Sequence, residues 1–214
     1  MARIRNGILG GVSGKLGPVE CFIRNGEAFV KLCKKKRTVP LSPKQLGVCQ
    51  KLIIANEMIN SMTPFVALGF DQAVKGLSRT ANNAAKSYQI RNSINGTYPD
   101  QTIDYPKVRL TEGDLPAAEN PGVAAVENGL KFSWDVDDRN RFDQQWTRAM
   151  LLVYVPALKS SYYTLSGARR NEGSDVMELP SSFKGYELQT YISFISDDKL
   201  GISNSVYAGH AIIF

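Results

Sequence analysis

The sequence predicts an α+β protein with an N-terminal glycine-rich arm and β-hairpin, a helical middle segment and a C-terminal antiparallel β-sandwich. Three observations carry this prediction. Asn25-Gly26 lies between two short runs rich in β-branched and aromatic residues, the strongest short-range hairpin signal. Helix start signals follow at Ser42-Pro43-Lys44-Gln45 and Thr63-Pro64, each opening an apolar stripe of helical period. From Gly129 onward the apolar period switches to two. A chain of 214 residues, 43% of them hydrophobic, is long enough to bury a core.

In chain order, residues 1–41 form the basic arm and hairpin, with strands expected near 18–24 and 27–33. Residues 42–95 form the helical segment. Its first helix runs from about 43 to 62, with Leu46, Cys49, Ile53, Met58, Ile59 and Met62 on its apolar face. A shorter helix follows through Phe65 and Leu68, and a third is capped by Ser78 and striped by Ala81, Ala84, Ala85, Tyr88 and Ile94. Residues 96–128, broken by Pro99, Pro106, Pro116 and Pro121, read as an irregular linker or edge strand. Residues 129–214 hold five or six strands, including "LKFSWDV", "RAMLLVYVP" and "YELQTYISFIS". A tryptophan-bearing early strand, a tyrosine-rich hairpin and a tyrosine strand before the last give the sandwich an immunoglobulin or fibronectin type III style, a fold-level analogy.

The segment "GILGGVSGKLGPVE" raises the question of a phosphate-binding loop, G-x-x-x-x-G-K-[ST]. Aligned on Gly14 and Lys15, it fails at both ends. Leu9 stands where the first glycine belongs, Leu16 replaces the metal-binding hydroxyl, and Gly17-Pro18 stops the helix that has to follow. The aspartates of residues 135–143 crowd like a calcium loop, but Arg139 breaks the EF-hand spacing and no bidentate glutamate follows, so a solvated turn is expected. His210 is the sole histidine and sits in an alternating strand, as a packed or half-exposed residue rather than a general base. Cys21, Cys33 and Cys49 form no C-x-x-C pair, so reduced thiols are expected, with one Cys21–Cys33 bridge across the hairpin left open. The sequence therefore predicts no enzyme, no cofactor and no metal site.

Charge is segregated. Residues 1–51 hold 11 Lys/Arg against 2 acids, whereas the rest of the chain is slightly acidic. Lys31, Lys34, Lys35, Lys36 and Arg37 form the basic patch. Ile4, Ile8, Leu9, Val12 and Leu16 are the apolar residues of the arm. They are too many for an idle tail, because a glycine-rich segment repays its ordering entropy only when something packs on it. An arm that pairs with a strand edge of a neighbouring subunit is the sharper reading, and a hairpin folded on its own domain is the plainer one. A heterologous contact of the first kind gives rings or filaments.

The expected function is thus a non-enzymatic structural protein that self-assembles or joins a phage-like particle or filament, with copies of itself or other structural subunits as partners. A nucleic-acid-associated or adaptor protein working through the basic hairpin is one alternative. A carbohydrate-binding module using Trp134, Trp146 and the tyrosines is another, although those aromatics are expected in the core. The start lacks the apolar stretch of a secretory signal, and no run is long enough to span a bilayer, so synthesis in the cytoplasm is expected, with a virion or an extracellular assembly as the open final location.

"NGILGGVSGKLG", the later "KKKRT" before a capped helix and the ending "SNSVYAG" carry a further indication. Over nearly its whole length the chain resembles an uncharacterised domain-of-unknown-function family of about 210-residue proteins typical of Bacteroidota. The resemblance implies a bacterial or phage setting and transfers no functional residue.

Overall fold

The computed structural model describes residues 3–4, 12–24, 26–35, 38–137 and 146–213, with backbone alone at 3–4. Its architecture is mixed α+β with antiparallel sheets and a strand-rich C-terminal part. The chain divides into two compact units, Met1–Ser42 and Pro43–Phe214.

The first unit is one antiparallel sheet of β1 (Arg3–Ile4), β2 (Val12–Leu16), β3 (Val19–Arg24) and β4 (Glu27–Leu32), in that order. The expected hairpin is β3–β4, closed by Arg24 opposite Glu27. Gly26 takes φ 82° in its turn, a value that side chains with a Cβ adopt at a cost. A second hairpin precedes it. Gly17 at φ 58° and Pro18 reverse the chain so that Leu16 faces Val19. The same glycine and proline that rule out a phosphate-loop helix therefore make a tight two-residue turn.

The second unit opens with α1 (Pro43–Ser61), α2 (Thr63–Gly69), α3 (Asp71–Val74) and α4 (Ala81–Asn92). The two later start signals act differently from expectation. Thr63 is the first residue inside α2, after an N-cap at Met62, and its hydroxyl donates back to the Asn60 carbonyl at 3.1 Å. The cap of α4 is Thr80, whose hydroxyl accepts from Asn83 N at 3.3 Å; Ser78 lies before it. In both cases a hydroxyl neighbours the proline or the apolar stripe, and local backbone geometry decides which one caps.

The strands follow as β5 (Ile94–Asn95) paired with β6 (Thr102–Ile103), β7 (Gly122–Val126), β8 (Gly129–Ser133), β9 (Thr147–Val155), β10 (Ser160–Thr164), β11 (Ser174–Glu178), β12 (Glu187–Ser196) and β13 (Val206–Ile212). One sheet runs β10-β9-β12-β13 and another β11-β8-β7. β9 and β12 are buried along nearly their whole length. One set of their side chains, Met150, Leu152, Tyr154, Tyr191 and Ile195, packs with Met58, Met62, Phe65 and Phe70 of the helices. The alternate set, including Leu151, Val153, Ile192 and Phe194, packs with Leu130, Phe132, Trp134 and Met177.

These two clusters join segments that the sequence divides at 95 and 128. The proline-rich stretch is not a free linker: Val108, Leu110 and Thr111 are buried, and the Thr111 hydroxyl donates to Ser203 O at 2.6 Å. The buried Arg170 guanidinium donates to the carbonyls of Pro116 at 2.6 Å and Ala117 at 3.0 Å. Short apolar residues between prolines show no period, so their burial leaves no pattern in the sequence.

Candidate assembly interface

The N-terminal sheet has two chemically distinct faces. Residues directly opposite each other on antiparallel strands share a face, and faces alternate along each strand. Leu16 stands opposite Val19 and Val19 opposite Leu32; Gly14 stands opposite Cys21 and Cys21 opposite Val30; Ile23 stands opposite Ala28. One face is therefore continuously apolar. Leu16, Ile23, Val30 and Leu32 on it are 50–73% exposed.

The other face is charged and aromatic. Lys15 stands opposite Glu20 and Glu20 opposite Lys31, Phe22 opposite Phe29, and Arg24 opposite Glu27. Lys31 Nζ lies 3.2 Å from Glu20 Oε2 and 4.8 Å from the centroid of Phe22. Phe22 and Phe29 stack with centroids 5.6 Å apart. Exposed ion pairs of this kind contribute at most about 1 kcal/mol; the register comes from the two tight turns.

The predicted site residues sort as follows. Val12 and Leu16 lie in β2 on the apolar face. Ile4 pairs through its backbone with Val12 of the same chain, so the first strand of the arm closes on its own sheet. Ile8, Leu9, Lys36 and Arg37 lie outside the described residues. Lys31 lies beside Glu20 and Phe22 with its side chain about half exposed, and Lys34 and Lys35 are exposed beyond the end of β4. Cys21, Cys33 and Cys49 are free thiols. A Cys21–Cys33 bridge is ruled out by register. Cys21 opposes Val30, while Cys33 N donates to Pro18 O at 2.7 Å, which puts the two thiols on opposite faces. The sequence shows that both cysteines flank the hairpin; the face of each follows only once the turn length is fixed.

The apolar face was legible in part. Val12 and Leu16 stand out in the sequence, but Ile23, Val30 and Leu32 gain their meaning only from the pairing of β2 with β3 through the turn at Gly17-Pro18.

The other candidates lie in the second unit. Asp135 accepts from Asn120 Nδ2 at 2.6 Å, and residues 138–143 of the aspartate-rich loop lie outside the described residues. Among the described residues no group of three metal-ligating side chains gathers. His210 is exposed on β13 opposite Gln189. Trp134 is buried, its indole N–H donating to Arg170 O at 2.7 Å, with Phe194 edge-on at 5.5 Å; Trp146 is 55% exposed. A groove of about 500 Å³ beside α1 is lined by Val48, Ile90 and Tyr98, with Lys44 and Lys51 as its charged residues and no carboxylate or histidine in its wall. Among the described residues no helix is long and apolar enough to cross a membrane.

A match over residues 11–209 to a family described as "Family of unknown function (DUF6266)" covers most of the chain, from β2 into β13. The chain belongs to that family. No curated protein matches it. The matched span of DUF6266 takes in β2, β3 and β4 as well as most of the second unit, so three of the four strands of the small N-terminal sheet are part of the shared sequence.

Proposed function

We propose that the chain is a non-enzymatic structural protein that assembles with copies of itself, as a filament or as part of a phage-like particle, through its N-terminal unit. The observation that carries this reading is the exposed apolar face formed by Leu16, Ile23, Val30 and Leu32 on a unit of 42 residues. Units this small seldom bury enough apolar surface to stand alone and usually draw on disulfides, metals or association. Here Cys21 is the single buried apolar residue among the unit's described residues, and its thiol is free. The second unit supplies the stable body. Its two C-terminal sheets share an apolar cluster in which Trp134 meets Phe194, which supports a sandwich of immunoglobulin or fibronectin type III style.

Negative-stain electron microscopy of the full chain beside a chain lacking residues 1–17 tests this reading. Regular particles or fibres are expected from the full chain and not from the shortened one. Dispersed monomers from both remove it.

A second reading, binding of nucleic acid, is favoured by the exposure of Lys34 and Lys35 next to Lys36 and Arg37 in the sequence. It predicts affinity that falls steeply with salt and is lost on replacing all four residues with alanine. Retention by the quadruple variant, or absence of salt dependence, rejects it.

A further inference from the structure

We propose that β4 of one copy pairs antiparallel with β4 of a second copy about a two-fold axis at Phe29, joining two N-terminal sheets edge to edge. This deepens the assembly reading and rests on it.

β4 is the last strand of its sheet, and all six of its residues are exposed. The hydrogen bond from Cys33 N to Pro18 O fixes which backbone groups face β3. Along an antiparallel pair, bonded and non-bonded positions alternate, so Glu27, Phe29 and Lys31 point their amides and carbonyls toward β3. Ala28, Val30 and Leu32 point theirs away from it, toward the open edge.

A strand added there must match outward groups with outward groups. With a second β4, that condition restricts the register to steps in which even-numbered residues oppose even-numbered residues. With Phe29 opposite itself, Ala28 opposes Val30 and Glu27 opposes Lys31, twice over by symmetry. A shift of one step either way sets Phe29 opposite Glu27 or Lys31 and leaves no ion pair. Two steps set Glu27 against Glu27, or Lys31 against Lys31, a repulsive contact.

The favoured register also extends the existing rows. Lys15, Glu20 and Lys31 of one copy run on into Glu27 and Arg24 of the other, so charge alternates in sign across both sheets. Phe22 and Phe29 continue into Phe29 and Phe22. On the opposite face, Gly14, Cys21 and Val30 continue into Ala28 and Ile23, which doubles the apolar surface without interruption. A lysine on an edge strand ordinarily discourages pairing; here Lys31 meets a complementary Glu27, so the edge selects its own copy and discourages others.

The test uses the full chain with Cys21, Cys33 and Cys49 replaced by alanine and single cysteines placed in turn at positions 28 to 32. A non-hydrogen-bonded pair brings Cα atoms to about 4.5 Å, within disulfide range, so Phe29→Cys is expected to form the linked dimer on the order of ten-fold faster than the other positions. Fastest linkage at another position, or none at any, overturns the proposal. Val30→Pro in the otherwise unchanged chain provides a check independent of the cysteine variants. It deletes an outward amide and leaves the bonds to β3 in place, so a dimer seen by sedimentation for the parent chain should be lost. A dimer that persists in Val30→Pro, or a parent chain that is monomeric at high concentration, overturns the two-fold contact. Particles without linkage at Phe29 reject this contact and keep the assembly reading; linkage at Phe29 without larger assemblies keeps this contact and rejects the filament or particle.

Discussion

Tyr191 is fully buried, and its hydroxyl donates to Tyr105 O at 3.1 Å. Burial raises its phenol well above the usual value, and burial likewise pushes Tyr154 up to about 12; Tyr105 and Tyr207 are raised for the same reason. A group whose folded pKa lies above its unfolded value of about 10 contributes stability that is complete below that pH and is lost as pH rises toward the folded value. Guanidinium unfolding midpoints are therefore expected to hold from pH 8 to about 10 and to fall steeply between about 10 and 12. Tyr191→Phe should flatten that fall while costing about 0.5–1.5 kcal/mol at neutral pH, from the lost hydrogen bond. A midpoint independent of pH up to 11.5 contradicts this. Gly129 makes a second residue-scale prediction. A Cβ there would collide with the Met177 carbonyl oxygen, so Gly129→Ala should force β8 from β11 and lower stability by about 1–3 kcal/mol, read as a fall in Tm.

Arg170 ties elements together. Its guanidinium holds the Pro116 and Ala117 carbonyls and stacks 4.3 Å from the centroid of Phe194. Burial lowers its pKa, and the two carbonyls and the ring offset that cost. Arg170→Leu is expected to lose about 2–3 kcal/mol and to speed amide exchange around 116–118, while the helices keep their protection. Elements with strong local signals were legible in the sequence. α1 begins at the predicted proline, and Arg24 and Glu27 flank the turn that Asn25-Gly26 predicts. Others depend on contacts distant in sequence. β7 lies in the stretch read as a linker or edge strand and is the edge of its sheet; which strand it joins was not legible, because its pairing partner β8 is invisible to periodicity. β9 and β12 alternate less clearly than half-exposed strands because both faces are covered, one by helices and one by β8 and β11. The candidate interface was legible as composition, basic and apolar residues near the N-terminus. Its division into an apolar face and a charged face needed the register of β2, β3 and β4.

For the whole molecule, the contrast lies between a body with two apolar clusters and a small sheet with a large exposed apolar face. The body has what it needs to fold by itself. The sheet has an open edge and an apolar face exposed to water; edge pairing of β4 would satisfy the first, and the doubled apolar face would remain for further contacts between copies. Membership of DUF6266 covers both parts and leaves the activity to physical argument. The most direct test is sedimentation equilibrium over a wide concentration range on the full chain and on residues 43–214. The full chain should rise from monomer to multiples of its mass as concentration increases, and residues 43–214 should stay monomeric and folded throughout. A full chain that remains monomeric at every concentration contradicts assembly through the N-terminal unit, and so does a shortened chain that associates equally well.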